Sequence, residues 1–522
     1  MANLRLGKFA STRAWLEVDE LESATSCYVV GSPDMGKSTL LGNLVEQFAA
    51  RESEGLLVLD IKGDLVRAIA ARTHYPDRVV YIAPGAAYAA GRLWAFNPFE
   101  YDRMDKETRE QVLIDVPRVF ERLGLAQLDT MFNVATTLEE CARLAAASAE
   151  PTLMDLYAIL FSEPYRRELL ARTSFYPSLE FWSEFEQMST HDKRALTLTA
   201  RNRLRRVLRP KMMHGTLGQY RSTISLQSWL DDGKIILVDL GNPLPRQQGI
   251  DLGNLLMGQL TSLAFARPEA ARNKLWRVVV DEFQLFVGKA FGEIITQARS
   301  YRVFPVMAHQ GRNQLRGDDA RQAAPLLGDL DHAGIKLFLA TSAEDRVALA
   351  ALYGLERTSG FADQPRFTAT AMWRRGPRGT RKERQILLQD WWGPEIDGQQ
   401  EQLQDRDLAA YTRPRRTVEQ QLTARYWSRV PGLTFQHPKD AGHDHQKPAR
   451  TDRQSPPAPP RQHGPPPAQT IRPRSDPDGH RDPGHARPVR AADQSPDRRL
   501  PVPGPPKPAR PDSERGSGES GG

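Results

Sequence analysis

An α/β fold with a mostly parallel sheet, an inserted all-α domain and a disordered proline-rich C-terminal tail is what the 522-residue sequence predicts. Three observations carry that prediction. Short β-branched apolar runs occur in two groups: "CYVVG", "LLVLD" and "VVYIA" between Cys27 and Ala83, then "KIILVDL", "VVVDE", "RVFPVMAHQ" and "GIKLFLA" between Lys234 and Ala340. Runs that are apolar throughout, rather than alternating, suit strands buried on both faces, and such strands belong to parallel sheets covered by helices. The stretch between the two groups has helical periodicity, and the composition after His437 is that of a chain unable to build a core.

Taken in order, the N-terminal "MANLRLGKFASTRAW" lacks the apolar segment of a leader. No stretch approaches the roughly 18 apolar residues of a membrane span, so no transmembrane segment is expected. Residues 1–100 and 233–354 are expected to form one discontinuous core. Between them, 101–232 is expected to be all-α: in "TLMDLYAILFSEPYRRELLAR", Leu153, Leu156, Ile159 and Leu160 share one face before Pro164 interrupts. In the accessory segment 355–436, "FTATAMWRRGPRGTRKERQILLQ" (Phe367 to Gln389) reads as a hairpin with a basic tip, and the aromatic-rich remainder is expected to pack on the body.

The tail, 437–522, holds 20 of the 39 prolines and no aromatic residue, and its only Ile, Leu or Val residues are Ile471, Val489, Leu500 and Val502. Too little apolar surface is present to offset the entropy of ordering it, so it is expected to be disordered. Its 15 Lys or Arg against 11 Asp or Glu account for +4 of the net +7, leaving +3 on the rest. Net charge is therefore a poor argument for a polyanionic partner, and local clusters must carry any such reading. Two cysteines, Cys27 and Cys141, lie far apart without metal-ligand spacing, which fits a reduced cytoplasmic compartment.

The chemistry is concentrated in "GSPDMGKST", Gly31 to Thr39, between an apolar run and a segment whose Leu40, Leu41, Leu44, Val45 and Phe48 share one helical face. Gly31, Gly36, Lys37 and Ser38 satisfy the phosphate-loop pattern. In such a loop the residues Gly31, Ser32, Pro33, Asp34, Met35, Gly36, Lys37, Ser38 and Thr39 surround phosphate oxygens, with backbone N–H groups offered by all of them except Pro33. Lys37 reaches the β and γ phosphates of ATP, and the Ser38 hydroxyl ligates Mg²⁺. Hydrolysis also needs a carboxylate at a strand end and a base for the attacking water. "LWRVVVDEFQLF" offers Asp281 as the Mg²⁺ partner, acting through water, and Glu282 as general base. Gln310, closing "MAHQ", stands where a polar side chain would sense γ-phosphate or water, whereas His309 reads as a packing neighbour. "DIKG" at Asp60 to Gly63 matches a GTPase signature, but guanine selection needs an NKxD-like segment, and "NKLW" at Asn273 has Trp in place of the carboxylate.

The ordered set "GSPDMGKSTLL", "LLVLDIKGDLV", "YIAPG…WAFNPFE", "GKIILVDLG", "VVVDEFQLF", "ITQARSYRVFPVMAHQ" and "AEDRVALAALYG" resembles type IV secretion coupling proteins of the conjugative VirD4/TraG/TraD kind, which belong with HerA and FtsK among DNA-pumping ATPases. The similarity spans about residues 26 to 354. It implies a RecA-like P-loop motor that carries an all-α domain and assembles as a hexameric ring around DNA. It further implies that Arg299 or Arg302, on the helix beyond the DE strand, approaches a neighbouring subunit's nucleotide as an arginine finger. A cytoplasmic chain of this kind would be recruited to the inner membrane face by a secretion channel or relaxase partner. Motors of this kind often have Gly where Asp34 stands, at a position needing φ > 0, which Asp tolerates.

Two basic tracts are candidates for DNA backbone contact. One is Lys193 to Lys211, with Lys193, Arg194, Arg201, Arg203, Arg205, Arg206, Arg209 and Lys211 and no acid; the other is Arg374, Arg375, Arg378, Arg381 and Lys382. On one helix the first set has no common stripe, so some of it must face solvent or neighbouring acids. The leading expectation is an ATP-dependent DNA translocase. A HerA-like motor of DNA end processing and a nucleotide-dependent recruitment module docking through the proline-rich tail are the alternatives.

Overall fold

Apolar runs that alternate between two helix-covered faces set the architecture, because each strand must bury both of its sides. The computed structural model describes residues 3–18, 26–100, 132–241, 243–286, 297, 300–311, 328–355, 361, 364–374, 381–390 and 393–429. All of these fall in one unit, Met1–Gln436, so the expectations for the tail and for residues 101–131 lie outside the described residues.

The strands are β1 (Leu4–Phe9), β2 (Trp15–Val18), β3 (Cys27–Val30), β4 (Gly55–Asp60), β5 (Val79–Ile82), β6 (Arg92–Leu93), β7 (Ile235–Asp239), β8 (Trp276–Asp281), β9 (Val303–His309), β10 (Ile335–Phe338), β11 (Thr368–Arg374), β12 (Arg381–Leu387) and β13 (Arg413–Pro414). Among the described residues eleven form one sheet in the order β2-β1-β12-β11-β10-β3-β9-β8-β4-β7-β5. From β10 to β5 every pairing is parallel. From β10 to β2 every pairing is antiparallel. All seven apolar runs are thus parallel strands of one sheet. Side chains alternate as a pleat requires: Tyr28, Val30, Leu57 and Leu59 enter one core, and Cys27, Val29, Leu56 and Val58 the other.

Helix α1 (Lys37–Ala49) and α2 (Asp64–Arg72) cover the second of those cores, followed in the chain by the short α3 (Pro84–Ala89). Between β6 and β7 come α4 (Phe132–Ala145), α5 (Leu153–Phe161), α6 (Glu163–Leu170), α7 (Tyr176–Gln187), α8 (Thr190–Leu208), α9 (Lys211–Leu217) and α10 (Leu226–Asp231), with no strand among the described residues. Leu153, Leu156, Ile159 and Leu160 are buried. Thr152 and Asp155 form a capping box at the start of α5, and Pro164 sits in the first turn of α6, where its missing N–H costs nothing.

The long α11 (Arg246–Ala266) joins the insertion's core on the other face. Beyond it come α12 (Ala343–Tyr353), α13 (Gln399–Tyr411) and α14 (Arg415–Arg429). The hairpin expected between Phe367 and Gln389 is β11–β12, with Arg374 opposite Arg381 in its register. It extends the main sheet and receives β1 on its far side. Helix α13 then closes the opposite edge at β5, and both β13 and α14 reach the insertion: Arg413 of β13 donates to Gln219 (2.8 Å), and Arg425 of α14 donates to the Glu150 carbonyl. Among the described residues no helix is long and apolar enough to cross a membrane. Cys27 and Cys141 are both buried free thiols.

Candidate functional site

Parallel strands place all their C-terminal ends on one edge, and the loops leaving that edge converge there. The loop after β3 is threaded between its two neighbours: the Gly31 N–H donates to the His309 carbonyl (3.2 Å) and the Ser32 N–H to that of Ala340 (2.8 Å). Any Cβ on Gly31 would stand 2.7 Å from the Leu339 Cβ, so only glycine passes. Asp34 (φ 61) and Gly36 (φ 102) both turn left-handed, the first as expected of an Asp in a glycine-like position. Gly36 caps α1 without a side-chain hydrogen bond, and no acid occupies the first turn. The N–H groups of that turn, with Ser38 and Thr39 beside them, are left to a ligand. Lys37 folds back so that Nζ donates to the Gly31 carbonyl (3.1 Å). Burial pulls its ammonium below the usual lysine range, against the attraction of Asp281 and Glu282.

Across β9 from the loop, β8 ends in Asp281, 6% exposed. Burial and the charge of Asp60 push its carboxyl up to about 6. Glu282 follows with φ 52, and its N–H donates to Asp281 Oδ1 (2.9 Å). That turn directs the Glu282 carboxylate into a cluster of three donors. Oε1 accepts from Lys62 Nζ (2.5 Å) and Gln310 Nε2 (2.5 Å), and Oε2 from Gln284 Nε2 (2.6 Å). Burial alone would raise this carboxyl, but the hydrogen bonds of Lys62, Gln284 and Gln310 outweigh it and hold it below the usual range.

Gln310 meets Glu282 because β9 lies between β3 and β8 in the sheet. His309, one residue earlier, points the other way: its Nε2 meets the Tyr28 hydroxyl at 2.8 Å inside the core, as a packing neighbour. Oxygen ligands from a hydroxyl and a buried carboxylate suit a hard cation, and a left-handed loop leading into a helix N-terminus suits phosphate. The residues present fit Mg²⁺ and a nucleoside triphosphate.

No protein-family model matches the chain, and no curated protein matches it in sequence. Among solved structures, the plasmid coupling protein TrwB in complex with ADP and Mg²⁺ superposes with a TM-score of 0.51 at 15% identity, covering 73% of this chain and 90% of that one. TrwB in complex with ADPNP, a non-hydrolysable ATP analogue, gives 0.51 at 14% identity over 75% and 91%. The fold is that of the conjugative coupling protein TrwB. VirB4 of Thermoanaerobacter pseudethanolicus is also similar, with a TM-score of 0.46 at 15% identity over 74% of this chain and 96% of that one. The TrwB likeness bears out the expected RecA-like P-loop fold, with its mostly parallel sheet.

Two residues of this TrwB-like fold were not singled out from the sequence. Asp60 ends β4, accepts from the Lys62 and Leu65 N–H groups (2.9 and 2.8 Å), and so anchors the start of α2. Lys62, half exposed along its side chain, leaves the same turn to reach Glu282. The "DIKGDL" stretch carried both, but nothing local says that a lysine 220 positions away faces the DE pair. Arg299 lies outside the described residues. Arg302 is not on a helix: it occupies a turn (φ 54) whose carbonyl accepts from the Trp276 N–H (2.9 Å). That pairing aligns the starts of β8 and β9, so Arg302 stands at the sheet edge opposite the loop of its own subunit.

The basic tract of α8 is divided. Lys193 pairs with Glu186 (2.9 Å), Arg206 with Asp251 (3.6 Å), and Arg201 lies over the Phe161 ring; Arg194, Arg205, Arg209 and Lys211 are exposed. Of the second cluster, Arg375 and Arg378 lie outside the described residues, Arg374 and Arg381 face each other in register, and Lys382 is exposed.

Proposed function

We propose that the chain is an ATP hydrolase of the coupling-protein kind, a ring-forming motor that moves DNA. What carries this reading is the meeting of Lys37, Asp281, Glu282 and Gln310 at one sheet edge, with the base and its polar neighbour in direct contact (2.5 Å). The TrwB structures with ADP and Mg²⁺ and with ADPNP support ATP and Mg²⁺ as the ligands. The loop N–H groups bind the phosphates, and Lys37 exchanges the Gly31 carbonyl for β and γ oxygens. Ser38 and Asp281 would hold the metal, and Mg²⁺, when bound, would neutralise and align the phosphate oxygens.

Glu282 takes the proton of the attacking water and Gln310 orients that water. Three hydrogen bonds hold the Glu282 carboxylate in the resting arrangement and lower its basicity, so withdrawing one donor readies it for the water. Lys62, the one with a half-exposed side chain, is the donor best placed to leave for the γ-phosphate. DNA is expected to run along exposed basic residues such as Arg194, Arg205, Arg209 and Lys382, through phosphate contacts.

Glu282→Gln in the full chain tests the chemistry. It is expected to bind Mg-ATP as the unaltered protein does, while steady-state hydrolysis falls at least about a hundredfold. An unchanged rate removes Glu282 from the mechanism. The unaltered protein is further expected to displace a third strand from triplex DNA only with ATP; hydrolysis without displacement would leave an ATPase that is not a translocase.

A further inference from the structure

A nucleotide has two ends, and the loop from Gly31 to Thr39 accounts only for the phosphates. The segment before β11 runs along the outside of that loop. The Phe367 N–H donates to the Met35 carbonyl (3.1 Å), Arg366 Nε donates to the Asp34 carbonyl (2.9 Å), and the Leu388 N–H donates to the Phe367 carbonyl (2.8 Å). Phe367 holds φ 58, a region where a bulky side chain is an outlier, so the surrounding contacts must impose it.

Burial does not explain that strain. Phe367 is 36% exposed, whereas Tyr28, Phe283, His309 and Phe338, rings packed together within the sheet's core, are fully buried. One edge of the ring, Cδ1 and Cε1, would meet a Cβ on Gly36 at 2.8 and 3.3 Å, so the ring stands directly against the loop. The Arg366 guanidinium lies 5.6 Å from the ring centroid. The result is a partly exposed aromatic ring, with a cation over it, pinned to the rim of the phosphate loop by hydrogen bonds.

We infer that Phe367, with Arg366 beside it, is the stacking platform for the base of the bound nucleoside triphosphate. The inference rests on the nucleotide reading of the loop. It adds the base-binding half of the site, supplied by a segment more than three hundred residues downstream. Recognition through the face of an aromatic ring is tolerant of base identity, because every base has a π-face. The platform therefore selects for a base being present rather than for adenine in particular.

Calorimetry on the full chain with Mg²⁺ tests this, with ATP and inorganic tripolyphosphate as the two probes. Phe367→Leu keeps apolar bulk against Gly36 and removes the ring. It is expected to weaken ATP about tenfold, within the range of base–aromatic stacking, and to leave tripolyphosphate unchanged. Phe367→Trp is expected to restore ATP affinity, and Phe367→Gly, which relieves the left-handed strain, to behave like Phe367→Leu. Equal weakening of both probes would assign Phe367 to holding the loop instead, and unchanged ATP binding would remove it from the site; either overturns the inference. Failure of the unaltered protein to bind both probes would instead overturn the nucleotide reading beneath it.

Discussion

A carboxylate as buried as Asp281 opposes folding until a cation joins it. Its carboxyl is raised to about 6 from an ordinary 3.8, so the folded state binds a proton more readily than the unfolded chain. The sign follows. The group's contribution to stability is complete below about pH 4 and is lost as pH rises through 6. Asp281→Asn, whose amide oxygen still accepts from the Glu282 N–H, is therefore expected to be more stable than the unaltered protein at pH 8. The gain is at most about 3 kcal/mol, and the difference vanishes near pH 4. Urea denaturation at the two pH values, without nucleotide or Mg²⁺, reads it. Equal stability at pH 8 would mean that Lys37 already compensates the charge. The type and spacing of Asp281 and Glu282 were legible in "VVVDEFQLF", which also holds the Gln284 donor, but the approach of Lys62 and Gln310 to Glu282 was not. Those two come from separate turns that only the sheet brings together.

At the scale of elements, the sheet edge at β5 is closed by side chains of α13 rather than by another strand. Asp407 accepts from the Tyr81 N–H (2.7 Å), and Arg406 donates to the Val79 carbonyl (2.5 Å) while pairing with Asp407 (2.9 Å). An open edge invites pairing with another chain, and this cover removes the invitation. Asp407→Ala leaves a buried backbone donor and an arginine uncompensated. A loss of about 2–4 kcal/mol in chemical denaturation is expected. A loss below about 0.5 kcal/mol would show that α13 does not hold the edge. The helix itself was hidden within a stretch anticipated only as aromatic-rich chain packing on the body. Its two edge-capping residues are ordinary surface types, and their role exists only where β5 ends the sheet.

At the scale of the whole chain, the first and last strands of the eleven-stranded sheet in chain order are neighbours: β1 pairs with β12, and the hairpin that carries β12 is seated on the phosphate loop through Phe367. The body from Met1 to Gln436 thus closes on itself before the proline-rich tail begins. Deleting residues 437–522 is therefore expected to leave Mg²⁺-dependent ATP hydrolysis within about twofold of the full chain. A collapse of activity would make the tail part of the machinery.

The sequence by itself determined the strands, the phosphate loop, the acidic pair and the helical character of the insertion, because each of these is a local pattern. An apolar run, a glycine–lysine–serine loop pattern, and a four-residue apolar face at helical spacing can all be read within a dozen residues. It did not determine the antiparallel half of the sheet, since β1 and β2 lack a continuous apolar run and the place of the β11–β12 hairpin beside β10 is a matter of non-local pairing. Nor did it place Lys62 against Glu282, Phe367 against Gly36, or Arg302 at the far edge. Those contacts follow from strand order, which is decided by how all the apolar faces are buried at once, and no segment carries that information alone.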